Sequence, residues 1–187
     1  MTSTETLAYP ADVVAFWFAP DAQPLWFAAT PAFDEALRAR FLSTYRAAAA
    51  GRLTDWEATP AGALALVIVL DQFPLNLFRG QPESFATEAA ARAVADRALA
   101  RGFDQALPPE QRQFLYLPFL HSEALADQER SVRLYQQPGL EDSLRFACHH
   151  CDLIARFGRF LHCNAILGRT STAEERAYLA SPGAFHG

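Results

Sequence analysis

The sequence predicts an all-α fold of seven to eight antiparallel helices. Three observations carry that expectation. Thr-Pro and Pro-Gly punctuation recurs along the chain, apolar residues return at helical spacing between those marks, and β-branched residues are scarce outside one segment. Short connections imply antiparallel neighbours. With 187 residues, 51% of them hydrophobic, the chain can bury a substantial core. It reads as one domain, 1–187, with short arms at about 1–8 and 181–187.

The elements follow in order. Thr30-Pro31 reads as an N-cap and first helical position, Phe33, Leu37, Phe41 and Tyr45 recur within, and Gly51 closes the segment. Thr59-Pro60 opens a second such helix, expected to run through Phe73 and stop at Pro74. Its interior, Leu64 to Leu70, is apolar on every side, the pattern of a central buried helix. An irregular stretch from Asn76 to Pro82 precedes a helix from Glu83 to Arg101, with Gly102 as its C-terminal cap. Pro108-Pro109 start another, interrupted or kinked at Pro118. Helices are then expected from Ser122 to Gln136 and from Leu140 to Arg159. Ser171 with Glu174 forms a capping box for a last short helix, and SPGAFHG trails as an extended arm.

Composition narrows the function classes. All 16 basic residues are arginine, so chemistry that needs a lysine nucleophile is excluded. The formal charge of −5, with no basic run, argues against nucleic acid and anionic lipid as partners. The N-terminus lacks a signal-peptide pattern, and the apolar run Ala63 to Leu70 is well short of a membrane span. A soluble, cytoplasmic protein is expected. Cys148, Cys151 and Cys163 are too few and too clustered for a disulfide framework. Cys148-His149-His150-Cys151 falls in a helix interior rather than on a turn, so no metal site is expected. No phosphate loop, dinucleotide fingerprint or Gly-x-Ser-x-Gly elbow is present, and no cofactor is implied. The aromatic start, Phe16-Trp17-Phe18 and Trp26-Phe27, packs on the chain's own helices or covers a second copy.

Polar residues at apolar positions are the candidate site. Asp71 follows Leu64 and Ile68 on one face of the most hydrophobic helix, where an unpaired carboxylate would be costly. Arg79, Arg130 and Arg159 are its candidate partners; alternatively, beside His121, it acts as an acid or base. If the 122–136 helix reaches back to His121, that residue and Gln128 share a face with Leu125, Val132 and Tyr135. Glu129 with Arg133, and Asp152 with Arg156, are spaced as helical ion pairs. His150 falls on an apolar face with Phe146, Ile154 and Phe157. Each of these is equally open to a closed structural role, since buried polar groups must be hydrogen-bonded.

The strings LALVIVLDQFPLNLFRG, RQFLYLPFLHSEALADQERSV and IARFGRFLHCNAILGRTSTAEE resemble the bacterial family called domain of unknown function 924, from about Ala11 to Ser181. The resemblance implies a tetratricopeptide-like helical fold and no settled activity. Its pattern includes Asp71, Gln72, Asn76, Arg79, His121, Ser122, Glu123, Asp127, Gln128, Glu129, Arg130, His150, Arg156, Gly158, Arg159, His162, Asn164 and Arg169. The sequence departs from that pattern at Leu75 and Cys163, where arginine is expected, and at Leu161, where proline is expected.

Two functional expectations result. The first is a domain that binds a peptide, protein or small ligand in a polar groove. The second is an enzyme with Asp71, His121, Glu123 and His150 as catalytic groups. Gln72, Asn76, Arg79, Asp127, Gln128, Arg130, Arg156, Arg159, His162, Asn164 and Arg169 would line the site of a small substrate, an anion among the candidate classes. Homo-oligomerisation is a further possibility.

Overall fold

A computed structural model describes residues 7–185. Nine α-helical segments occur among them: α1 (Pro10–Trp17), α2 (Pro31–Ala49), α3 (Pro60–Val67), α4 (Phe73–Leu77), α5 (Glu88–Ala100), α6 (Pro109–Leu120), α7 (Leu125–Tyr135), α8 (Glu141–Phe157) and α9 (Ala173–Leu179). No strand occurs among the described residues, and the all-α expectation holds. The expected N-terminal arm lies mostly outside those residues.

Local chemistry explains most boundaries. Thr30 and Thr59 cap α2 and α3, their side chains accepting from the Phe33 and Gly62 N–H groups. Gly102, with one residue between it and the end of α5, and Gly158, directly after α8, take left-handed φ values of 68° and 70°, a conformation glycine adopts without a side-chain clash.

Pro74 does not end the central helix. A π turn, Ile68–Gln72, joins α3 to α4, and the helical path continues to Leu77. Pro74 has no N–H to give the Leu70 carbonyl four residues back. The Thr87 hydroxyl donates to that carbonyl instead, at 2.6 Å. The resulting helix, Pro60–Leu77, is long and apolar enough to cross a membrane by length and composition, and 83% of it is buried inside the fold. It is the core helix here, packed against α1, α2, α5 and α6.

Four other boundaries differ from expectation. Residues Pro82–Phe85 form a 3-10 turn, so α5 starts only at Glu88. Helix α6 runs through Pro118 to Leu120. Helix α7 begins at Leu125 because Ser122 folds its hydroxyl back onto the local backbone, accepting from the Ala124 N–H. The final capping box is Thr172 with Glu175, one residue later than expected, and the tail turns back at Ser181 instead of extending.

The aromatic start packs inward. Trp17 is fully buried among Trp26, Phe33, Phe73 and Phe114, and Phe16 contacts Phe33 and Phe41. Helix α7 is held between α6 and α8, which brings the end of α6 close to the histidines of α8.

Candidate functional site

Asp71 lies in the π turn, its side chain fully buried, and its partner is His121 at the end of α6. Nδ1 of His121 meets Asp71 Oδ1 at 3.0 Å, and Gln72 Nε2 donates to Oδ2 at 2.6 Å. Two donors on one carboxylate make its burial tolerable. The three arginines expected there go elsewhere, Arg79 to Asp34, Arg130 to Asp96 and Arg159 to Glu175. The π turn explains part of this, since it rotates the helix after Gln72 relative to a regular α-helical count.

The His121 side chain is 24% exposed while Asp71 shows nothing to solvent. Burial pulls the His121 pKa down, but the attraction and hydrogen bond of Asp71, with the charge of Glu88, outweigh it and the net shift is upward. Nε2 has no hydrogen-bond partner among the described residues. The arrangement therefore has one nitrogen fixed by a buried carboxylate and the other without a hydrogen-bond partner among the described residues.

Glu88, the first residue of α5, completes the electrostatics. Burial raises its pKa to about 7, with His121 and Arg92 opposing and Asp71 and Glu123 reinforcing. Nothing in the sequence marks this residue. An acid in the first helical turn is ordinary chemistry, satisfying the helix dipole, and carries no signal of its own.

The remaining candidates separate into closed groups. Gln128 is fully buried and donates to the Leu120 and Ser122 carbonyls, capping the end of α6. Asp127 accepts from the Ser122 hydroxyl at 2.6 Å and faces Arg92 at 3.5 Å. Arg169 clasps Glu123 through two nitrogens, at 2.8 and 2.9 Å, and Glu123 also accepts from the Phe160 N–H at 2.8 Å. Burial raises the Glu123 pKa, but these donors prevail and hold it below the ordinary range. Arg159 forks onto Glu175, which caps Thr172 and accepts from Asn164. Arg156 reaches Glu174 rather than Asp152, and the expected Glu129–Arg133 pair is absent among the described residues.

Asn76 and Arg79 stand apart from His121. Asn76 donates to the Gln72 carbonyl and accepts from Arg79, which also grips Asp34 with two bonds. They line a cavity of about 380 Å³ with Pro31, Glu35, Arg38 and Gln81. His150 donates from Nδ1 to the Phe146 carbonyl at 2.8 Å, and its ring is covered by Phe160 and Phe185; His162 lies against the same two phenyl rings. Leu161 and Cys163 are buried, and burial drives the Cys163 thiol up to about 12, so it is not a nucleophile. Among the described residues no group of three or more His, Cys, Asp or Glu side chains is arranged to hold a metal ion.

Fold and site together define an all-helical protein built round a buried carboxylate–imidazole pair. The chain belongs to the family described as bacterial proteins of unknown function, DUF924, whose model matches residues 13–183. A solved structure of a protein of unknown function from Agrobacterium tumefaciens is similar over 91% of this chain and 96% of that one, at 44% identity and a TM-score of 0.86. No curated protein matches the chain.

Proposed function

We propose that this protein is an acid–base enzyme whose reacting group is His121 Nε2, acting on a small neutral or cationic substrate. The observation that carries the reading is the half-buried imidazole held through Nδ1 by the buried Asp71 carboxylate. With Nδ1–H committed to Asp71, Nε2 holds the lone pair and takes a proton from the substrate. The imidazolium that forms is stabilised by Asp71, and Glu88, near half-protonated at neutral pH, supplies or accepts the second proton.

The substrate class follows from the arginines. Arg92, Arg130, Arg156, Arg159 and Arg169 are each paired with a carboxylate. An anionic substrate would have to displace one of those carboxylates, so an anion is disfavoured. A ligand-binding role without chemistry has one observation of its own, the cavity of about 380 Å³ beside Asn76 and Arg79, which reaches the size range of small-molecule sites.

A thermal-shift screen of neutral, cationic and anionic metabolites, with each hit followed for turnover by NMR, tests the reading. Neutral or cationic hits should be converted by the wild type, and His121→Asn should bind them without turnover. Hits that are unchanged by the wild type and bind equally to His121→Asn, but lose binding in Arg79→Ala, would transfer the function to the cavity beside Asn76 and Arg79.

A further inference from the structure

In the C-terminal tail the Phe185 ring is held by three histidines. After α9 the Ser181 N–H donates to the Tyr178 carbonyl at 2.8 Å, and the Phe185 N–H returns to the Tyr178 hydroxyl at 3.3 Å. This turn sets the Phe185 ring against His150, His162 and His149, with centroid separations of 4.6, 5.1 and 5.9 Å. Phe160 lies against His150 at 5.3 Å. Acid–base chemistry at His121 uses none of these contacts, and the tail packs on His150 whether or not that chemistry occurs.

The geometry points to a pH-sensitive latch in which residues 181–185 close over His150 while its imidazole is neutral and lift when it is protonated. The tautomer sets the sign. Nδ1 carries the proton because a carbonyl can only accept, so a second proton must enter at Nε2 of a ring covered by Phe160 and Phe185. Burial lowers the His150 pKa to about 4, against the hydrogen bond to Phe146 and with the repulsion of His121, His149 and His162. Those three imidazoles reach it from the end of α6, from α8 itself and from the 161–163 turn. The charges behind Phe160, Glu123 and Arg169, are closed on each other.

With the tail lifted, His150 returns toward about 6.5, the ordinary histidine value. A pKa depressed in the closed form means that closure is fully favoured above about 6.5 and is lost as pH falls toward the closed-form value. Between pH ~7.5 and ~4.5 the closing constant then drops by at most roughly 70-fold, the limit in which the tail supplies the whole shift.

The test is an NMR titration of the full chain, following the carbon-bound ring protons of His150 and the Phe185 amide. His150→Gln identifies the ring signal, and thermal unfolding checks that each variant is folded. The wild-type His150 midpoint should lie at least about one pH unit below that in Phe185→Ala. The Phe185 amide should show an inflection at the His150 midpoint in the wild type, and that inflection should be missing in His150→Gln. Equal midpoints in wild type and Phe185→Ala, or an identical Phe185 titration in His150→Gln, overturns the latch.

Discussion

His121 Nδ1 sits 3.0 Å from Oδ1 of Asp71, a residue fifty positions earlier in the chain, and the pair joins the end of α6 to the π turn of the core helix. Because the pairing raises the histidine pKa, its stabilisation is complete below the unfolded value of about 6.5 and disappears as pH rises through the raised folded value. Asp71→Asn keeps an acceptor but removes the charge. It should lower the His121 pKa by NMR titration and cost about 1–3 kcal/mol of stability at pH 6, less at pH 9.

Glu88 has the opposite sign. Its folded pKa of about 7 lies above the unfolded carboxylate value, so ionising it costs stability increasingly as pH rises between those two values. Glu88→Gln should therefore stabilise the protein by about 1–3 kcal/mol at pH 8 and leave it nearly unchanged at pH 4. Urea unfolding at the two pH values measures this, and a destabilised variant at pH 8 would contradict it.

Thr87 supplies the hydrogen bond that Pro74 withholds from the Leu70 carbonyl. Thr87→Val keeps the shape and deletes the donor, leaving a buried carbonyl unpaired. The expected loss is about 1–3 kcal/mol, read from the denaturant midpoint. Pro74→Ala in the same background should recover part of it by restoring an N–H.

Gly62 faces the backbone of the preceding 3-10 turn. A Cβ built there would sit 2.0 Å from the Trp56 carbonyl oxygen. Backbone cannot yield as a flexible side chain does, so Gly62→Ala should destabilise by at least about 1–3 kcal/mol despite the better helix propensity of alanine. A higher melting temperature would show that the turn at Thr54–Ala58 moves freely.

Legibility followed the range of the interaction. The caps at Thr30 and Thr59 and the glycine stop at Gly102 depend on residues within a few positions, and each is readable, whereas α8 stops at Gly158 inside a helix expected to reach Arg159. Pro74 misled because its effect depends on Thr87, thirteen residues on. His150 stands out as a polar residue on an apolar face and Glu123 through the family resemblance, but whether each is open or closed depends on Phe185 and on Arg169.

The sequence by itself therefore determined the helices, the all-α class and the family, because local backbone chemistry and apolar periodicity are written along the chain. The tertiary structure decided which misplaced polar residues are spent on each other. It paired Asp71 with His121 rather than with an arginine, closed Glu123 on Arg169, and half-buried Glu88 within reach of their charges. Charges select partners by distance in space, and helix packing with a π turn in the core helix sets those distances.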